Sequence, residues 1–420
     1  MDILNDKEIL SLSNRLQEKA ANGGYVVSDL LLEHNGQTLQ FVDLVMEGGG
    51  TLGIALIGYI YALEKAGIRF LSIGGSSVGA IVSLLLACCG PRIEEKGESL
   101  AGIISNMDMA SFIDGNFFCS ALSRLLGSGK AGDKKWQVVL LGLLSSGAVI
   151  QKLGLNPGDK FLAWLTQCLA ECNIHTLDDA MKVIKDMPEG ITHRLYGGNY
   201  SAPKATLKVV AADLTTRSKI VFPEMAPLYW EATETLNPAL FARASMSIPG
   251  FFQPMEVTGV ANIVNSTENW SNLCSFQGHI PDKITFSDGG LLSNFPISLF
   301  HENRVPNAPT LGARLGSFSR VVNEIHTVGA YSGGLFASLR HYSDYEFIYQ
   351  NPDYRNLITY ISTEGHNWLN FFMDDGEKLA LFKNGMIAAH AFLEGFDWLG
   401  YKEIRRAKLN YERVSTAAEN

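Results

Sequence analysis

Two short motifs carry the residue types of an acyl-transfer site. The stretch GGSSVG contains G-x-S-x-G, in which Gly75, Ser77 and Gly79 follow the apolar run FLSI and precede an apolar, helix-like run. A serine on such a strand-to-helix turn projects its Oγ at the edge of a sheet, where it can act as a nucleophile. A plain glycine-serine turn explains the same letters, because the pattern is short enough to recur by chance.

The second motif is SDGG, in which Asp288 ends the strand-like run KITF and is followed by Gly289 and Gly290. An acid at the carboxyl end of a parallel strand lies on the same edge as a serine turn that follows another such strand, which is where open α/β sheets hold their sites. Asp288 is therefore expected to face Ser77. An ordinary aspartate-glycine turn is the commoner use of this dipeptide.

A glycine-rich turn lies upstream of both motifs, in VMEGGGTLGIA. Its backbone N–H groups could hold a phosphate or the oxyanion of an ester under attack. The letters match G-x-G-x-x-G, but a dinucleotide site needs an acidic residue about twenty positions on, at the end of the next strand. That strand ends in glycine and then Ser77, and the only nearby acid, Glu64, falls within the intervening helical run. The sequence therefore lacks the acidic residue that a dinucleotide site requires at the end of the second strand, which argues against nucleotide binding.

The elements around these motifs are typical of an α/β fold. From Phe41 to Cys89, strand-like and helical runs alternate in units of roughly 30 residues, which predicts a parallel sheet covered by helices. Residues 105–205 become helical and irregular and are interpreted as an insertion over the sheet. Strand-like runs resume at Leu207–Asp213, whereas the pattern of residues 301–420 assigns that segment no role.

In this order, GGGTLG, GGSSVG and SDGG resemble the patatin-like phospholipase family, and VVAADLTT, ARASMSIPGFFQP and LLSNFPI are similar to its other blocks. The resemblance implies a three-layer α/β/α fold with a mostly parallel central sheet. It covers about residues 41–300, which are the expected catalytic domain. The sequence pattern adds a polar lead-in at residues 1–40 and the helical insertion at about residues 105–205. Residues 301–420 are then a C-terminal extension packed on that domain.

The resemblance also implies a serine hydrolase of the phospholipase A type, in which Ser77 is the nucleophile, Asp288 is its base and no histidine takes part. The oxyanion hole is then the glycine turn, with the N–H groups of Gly49 and Gly50 as the expected donors. The residues of this turn are Gly48, Gly49, Gly50, Thr51 and Gly53. Leu52 departs from the family, which usually has Arg or Lys at that position, and this leaves the preferred lipid headgroup open.

The chemistry of such a dyad is consistent without the resemblance. Ser77 attacks an ester carbonyl, Asp288 takes its proton, an acyl-enzyme forms, and water releases the fatty acid. Because a carboxylate is a weak base for a hydroxyl, backbone donors at the oxyanion must carry part of the catalysis, and a single donor can contribute about 3 kcal/mol. No metal or organic cofactor is required.

Three alternatives stay open. A Ser-Asp-His triad fits the residue order, although the chain lacks an H-G-G oxyanion motif. The histidines that follow Asp288 are His301, His326, His341, His366 and His390. The same dyad could serve a neutral-lipid lipase or an acyltransferase, and a non-catalytic lipid- or protein-binding module is the alternative of another class.

Composition narrows the partners. With 420 residues, a net charge of -9 and 46% hydrophobic residues, the chain is globular and unsuited to non-specific nucleic-acid binding. The expected partners are a phospholipid or other fatty-acyl ester, a membrane surface bound peripherally, and an activating protein or ligand acting through residues 301–420. The first residues lack a secretory signal pattern, which predicts a cytoplasmic or peripheral membrane location and leaves export without a cleavable signal open.

Two further features concern the apolar and sulfur-containing side chains. The run Trp136–Ile150 is too short to span a bilayer and is interpreted as a core helix rather than a lid that meets lipid. All six cysteines are expected to be free, mostly buried thiols. They are Cys88, Cys89, Cys119, Cys168, Cys172 and Cys274. Cys168, Cys172 and His175 are close in sequence, but no second ligand pair is near, so no metal site is expected.

Overall fold

The structure is a computed structural model that describes residues 3–115, 152–197, 204–316, 325–326 and 328–419. The strands are β1 (Leu30–His34), β2 (Gln37–Met46), β3 (Ile68–Ser76), β4 (Gly154–Asn156), β5 (Thr192–His193), β6 (Leu207–Asp213), β7 (Ser218–Phe222), β8 (Gly250–Phe252), β9 (Met255–Thr258), β10 (Lys283–Asp288), β11 (Thr310–Leu315) and β12 (Ile358–Ile361). The helices are α1 (Lys7–Ala21), α2 (Gly53–Lys65), α3 (Val78–Cys88), α4 (Gly97–Ser105), α5 (Asp159–Glu171), α6 (Leu177–Lys185), α7 (Ala239–Ser245), α8 (Ser266–Cys274), α9 (Val328–Gln350), α10 (Asp375–Gly395) and α11 (Trp398–Glu419).

A mixed sheet forms the centre of the molecule, with the strand order β12-β11-β2-β3-β6-β10-β9. The five strands from β12 to β6 run parallel, whereas β10 and β9 are antiparallel to their neighbours. Helices α2 and α3 are buried along almost their whole length, which explains why their sequences are apolar on every side. The predicted three-layer α/β/α fold is thus confirmed, with parallel strands at its core.

The direction of β10 differs from the prediction that Asp288 ends a parallel strand. Strand β10 pairs antiparallel with β6, and Asp288 lies opposite Ala211. Strand β6 pairs in parallel with β3, where Val210 lies opposite Ser76. Because β6 continues past the end of β3, β10 can run back along it and still end level with Ser77. Asp288 therefore reaches the expected edge of the sheet from the opposite direction.

Residues 301–420 are part of the sheet as well as packed against it. Strand β11 pairs in parallel with β2, and β12 extends the sheet by pairing with β11. Helix α10 packs on α2, where a Cβ on Gly58 would lie 2.0 Å from the Phe382 carbonyl oxygen and one on Gly385 would lie 2.0 Å from that of Ala55. Periodicity could not assign these roles, since β11 and β12 are short strands far in sequence from their neighbours. The domain bounds stay a prediction.

The predicted insertion contributes α5 and α6, together with strand β4, which pairs with β8. The apolar run Trp136–Ile150 lies outside the described residues. Within the described ranges, no helix is both long enough and apolar enough to cross a membrane.

The expectation of six free cysteines is wrong. Cys89 and Cys172 form a disulfide with a Cα–Cα distance of 5.1 Å, whereas Cys88, Cys168 and Cys274 are free thiols. Cys119 lies outside the described residues. The bonded cysteines directly follow α3 and α5, so the disulfide joins the ends of two helices. Their separation of 83 residues explains why sequence reasoning missed the pair. A cysteine in a disulfide does not ligate a metal, so Cys172 is not a ligand in a group with Cys168 and His175. The described residues hold no cluster suited to a metal.

Breaking this disulfide is expected to lower the free energy of unfolding by roughly 2–4 kcal/mol, because it closes a long loop in the unfolded chain. The measurement is urea unfolding of the wild type and a Cys89→Ser/Cys172→Ser variant, each with and without a reductant. A Cys274→Ser variant is the control and should respond to the reductant as the wild type does. Equal stability of the oxidised and reduced wild type would contradict the prediction.

Candidate active site

Ser77 occupies a sharp turn between β3 and α3. Its backbone has φ 52° and ψ -123°, a left-handed φ that is uncommon for a residue with a side chain. Its N–H donates to Ser245 Oγ at 2.8 Å, and that hydroxyl donates to the Val210 carbonyl at 2.5 Å. The turn is therefore held from the neighbouring strand β6 and from α7. This geometry directs the Ser77 side chain at the end of the sheet, as the G-x-S-x-G pattern predicts.

Ser77 and Asp288 are in direct contact. Ser77 Oγ donates to Asp288 Oδ2 at 2.6 Å, and the other carboxylate oxygen, Oδ1, accepts the Gly290 N–H at 2.7 Å. The Asp288 N–H donates to the Ser247 carbonyl at 2.9 Å. Both side chains are buried, with 3% and 7% of the residue surface exposed. The serine proton can therefore pass to the carboxylate without an intervening group.

The histidine alternative receives no support from this geometry. In a Ser-Asp-His triad the serine bonds a histidine, which in turn bonds the acid, whereas Ser77 here bonds Asp288 itself. His301 shares a 2.9 Å hydrogen bond with the Tyr354 hydroxyl, and His390 lies 3.6 Å from Glu394. Burial lowers the pKa of His301. These two imidazoles are engaged elsewhere in the fold.

The glycine turn lies against Ser77. A Cβ on Gly48 would be 3.0 Å from Ser77 Cβ and 2.7 Å from Asn294 Oδ1, so only glycine fits there. Gly50 has φ 55°, and a Cβ on it would be 2.2 Å from the Trp368 carbonyl oxygen. Gly53 begins α2 and packs on Val78. The predicted oxyanion turn and the predicted nucleophile are therefore neighbours.

The N–H groups of this turn differ in their partners. Gly48 donates to the Asn294 carbonyl at 2.9 Å, and Thr51 donates to the Trp368 carbonyl at 2.9 Å. Among the residues that the structure describes, neither Gly49 nor Gly50 donates its N–H to a protein acceptor. Gly49 and Gly50 are the residues whose N–H groups the sequence analysis expects to act as oxyanion donors, and that role stays a prediction.

Sequence reasoning missed a buried polar cluster behind the turn. Glu47 and Arg314 form an ion pair with a Nε–Oε1 distance of 3.3 Å, and Asn294 Nδ2 donates to Glu47 Oε1 at 3.2 Å. Burial acts to lower the pKa of Arg314, but the Glu47 carboxylate raises it above its usual value. Asn294 lies in the LLSNFPI block and Glu47 precedes the glycines, which were available signals, whereas nothing in the sequence marked Arg314.

An apolar groove lies beside the glycine turn, and Gly50, Thr51 and Gly53 contribute to its lining. The walls include Val78, Ile81 and Val82 from α3 and Phe161 and Trp164 from α5. These side chains offer almost no hydrogen-bonding groups, so the groove suits a hydrocarbon chain. The disulfide between Cys89 and Cys172 connects the C-terminal ends of α3 and α5.

A larger, polar cavity lies at the other end of the strands, near Asp43 and Ser72. Burial raises the pKa of Asp43 to about 7. Two arginines in its wall are paired with carboxylates, since Arg304 binds Glu302 and Arg405 binds Asp353. This cavity is remote from Ser77, so its size does not make it the site of acyl chemistry.

The family model of patatin-like phospholipases matches residues 44–301, which is more than half of the chain. The chain belongs to the patatin-like phospholipase family. This patatin-like protein is 26% identical over 364 residues to protein YqhO of Bacillus subtilis. The match covers 84% of the chain and 98% of YqhO. It is also 52% identical over 46 residues to a lysophospholipase of Aspergillus niger, but that match covers only 11% of the chain and 3% of the fungal enzyme.

Two solved structures are similar to the patatin-like protein. VipD from Legionella pneumophila is 16% identical with a TM-score of 0.42, and the match covers 90% of the chain and 72% of VipD. ExoU in the ExoU-SpcU complex of Pseudomonas aeruginosa is 17% identical with a TM-score of 0.34, and that match covers 89% of the chain and 59% of the solved one. Family membership supports lipid acyl hydrolase activity in general terms.

Proposed function

We propose that the protein hydrolyses the fatty-acyl esters of phospholipids through a Ser77–Asp288 dyad and an acyl-enzyme intermediate. The observation that carries this proposal is the 2.6 Å hydrogen bond from Ser77 Oγ to Asp288 Oδ2, placed beside an apolar groove. Family membership supports the wider class of lipid acyl hydrolases. The residue roles and the phospholipid substrate are the proposed part.

In the proposed mechanism, Ser77 Oγ attacks the ester carbonyl while Asp288 Oδ2 accepts the serine proton. The N–H groups of Gly49 and Gly50 stabilise the tetrahedral oxyanion, and the start of α3 adds a favourable dipole. The proton held on Asp288 then passes to the leaving alcohol, which leaves the acyl group on Ser77. Water, deprotonated by Asp288, attacks the acyl-enzyme, the bond to Ser77 Oγ breaks, and Asp288 returns the proton to Oγ as the fatty acid is released.

The apolar groove is the proposed binding site for the acyl chain. Its apolar walls favour transfer of hydrocarbon from water by roughly 0.8 kcal/mol per methylene, and Gly50, Thr51 and Gly53 of the proposed oxyanion turn form part of its lining. The headgroup would then remain outside. Since Leu52 lies where the family usually has a cation, and is itself 6% exposed, a specific headgroup remains unassigned.

The groove predicts an acyl-length effect. Val82 lines the groove five residues after Ser77, about 7.5 Å along α3 at 1.5 Å per residue. A Val82→Phe variant is expected to lower kcat/KM for palmitoyl esters roughly 10- to 100-fold, because the ring shortens the groove. Butyryl esters should change less than about twofold, since they end before the ring. A Val264→Phe variant, at a residue 63% exposed, is the control, and equal losses for both acyl lengths would count against the assignment.

Lipid specificity is tested with mixed vesicles of phospholipid and triacylglycerol. Mass spectrometry of the released lipids, comparing the wild type with Ser77→Ala, should show free fatty acid and lysophospholipid that depend on Ser77. Release from triacylglycerol alone would favour the neutral-lipid lipase. Acyl transfer to an added alcohol in preference to water would favour an acyltransferase, and lipid binding with no Ser77-dependent product would favour the binding module.

Two further partners are part of the proposal. One is a membrane surface, to which the protein would bind peripherally from the aqueous side in order to reach a phospholipid. The other is an activating protein or ligand, because the sequence of residues 301–420 contains no catalytic motif. Because β11, β12 and α10 belong to the fold, that segment has a structural role whether or not an activator binds it.

A further inference from the structure

The peptide between Gly48 and Gly49 is held by the side chain of Asn294. Asn294 Nδ2 donates to the Gly48 carbonyl oxygen at 3.1 Å, and the Asn294 carbonyl accepts the Gly48 N–H at 2.9 Å. In a planar trans peptide, the carbonyl of one residue and the N–H of the next point in opposite directions. The contact with the Gly48 oxygen therefore directs the Gly49 N–H away from Asn294.

The amide of Asn294 is itself oriented by its surroundings. Its Nδ2 atom lies between two acceptors, the Gly48 carbonyl and Glu47 Oε1 at 3.2 Å. Two acceptors require the nitrogen, rather than the oxygen, to face them. Asn294 is 3% exposed, so water has little access to compensate a misplaced amide.

The Glu47 carboxylate is fixed in turn by β11. Leu315 donates its N–H to Glu47 Oε2 at 2.7 Å, and Arg314 Nε lies 3.3 Å from Glu47 Oε1. The Arg314 guanidinium lies over the rings of Tyr345, at 5.1 Å, and Tyr360, at 5.7 Å. Glu47 and Arg314 are both buried, which makes the loss of one charge costly for the other.

We propose that Asn294, supported by Glu47 and Arg314, is a positioning residue that sets the direction of the Gly49 N–H toward the reacting oxygen. This inference rests on the proposed function, because it assigns the Gly49 N–H to the oxyanion. None of the three side chains touches the substrate in this role. Their effect passes through the backbone of the glycine turn.

The test uses an Asn294→Asp variant, which keeps the shape of the side chain and removes the donor. With a soluble short-chain ester, kcat should fall about 100-fold, the scale of one lost oxyanion donor, while KM stays within about twofold. Sulfur is a weaker hydrogen-bond acceptor than oxygen, so a thionoester gains less from the Gly49 N–H. The preference for the oxygen ester over the matching thionoester should therefore shrink in the variant.

An Asn351→Asp variant is the matched control. Asn351 is also buried and its Nδ2 also donates to a backbone carbonyl, that of Phe347 at 3.0 Å, but it lies in the loop after α9. This control should keep the wild-type preference between the two esters. Glu47→Gln and Arg314→Met should reduce the preference, and Arg314→Lys should reduce it less, so the test stands even if Asn294→Asp does not fold.

An unchanged ester-to-thionoester preference in the folded Asn294→Asp, Glu47→Gln and Arg314→Met proteins would overturn the inference. Ser77→Ala separates this failure from failure of the proposed function. If wild-type hydrolysis depends on Ser77 while the preference never changes, only the positioning role is wrong. If hydrolysis does not depend on Ser77, the proposed function itself fails.

Discussion

A Ser77→Ala variant is expected to lose ester hydrolysis by a factor of about 10⁵ or more, the scale seen when the nucleophile of a serine hydrolase is removed. The reason is that Ser77 Oγ is the atom proposed to attack the carbonyl, and it donates the 2.6 Å hydrogen bond to Asp288. The measurements are fatty-acid release and covalent labelling by a fluorophosphonate probe. Both should be lost while the circular dichroism spectrum is retained.

Ser76→Ala is the matched control, since Ser76 is the adjacent buried serine of the same GGSSVG motif. Its Oγ donates to the Ser293 carbonyl at 2.7 Å rather than to a carboxylate. Labelling should therefore persist, with hydrolysis within about tenfold of the wild type, the scale of one neutral hydrogen bond. Labelling that followed Ser76 instead of Ser77 would reverse the assignment.

An Asp288→Asn variant is expected to lower kcat by about 10⁴, a factor comparable to that for neutralising the acid of a serine triad. An amide can still accept the hydrogen bond of Ser77, but it cannot take the proton. Turnover of a soluble ester should therefore fall much more than KM changes. Slower fluorophosphonate labelling of Ser77 is the second readout.

Asp213→Asn and His301→Gln are the controls for this second prediction. Asp213 is buried at the end of the neighbouring strand β6, where it accepts hydrogen bonds from Thr216 Oγ1 at 2.7 Å and the Tyr229 hydroxyl at 3.1 Å. Its replacement should lower the melting temperature more than it lowers kcat. His301→Gln should keep kcat within about tenfold, because His301 bonds Tyr354 instead of the dyad. A 10⁴ loss in His301→Gln would restore the triad alternative.

Ser77 and Asp288 lie together as the sequence predicts, although one premise of that prediction is wrong. The motifs indicated that the two residues share an edge of the sheet, and they do. The supporting argument assumed that β10 runs parallel to its neighbour, whereas it runs antiparallel. Strand direction depends on how the chain returns to the sheet through residues 214–282. A short apolar run such as KITF predicts a strand but does not indicate its direction.

The sequence by itself determined where the local motifs of the candidate site lie in the chain. Each of these motifs depends on residues that are adjacent in the chain and on the backbone freedom of their glycines. They are the glycine turn, the serine on the strand-to-helix turn and the aspartate before two glycines, and the sequence alone is enough to locate them. Only the tertiary structure decided which N–H groups of the turn have acceptors among the described residues, that Asn294, Glu47 and Arg314 contact the turn from behind, and that Cys89 pairs with Cys172. Those features depend on contacts between residues at least 83 positions apart, and such contacts exist only once the chain has folded.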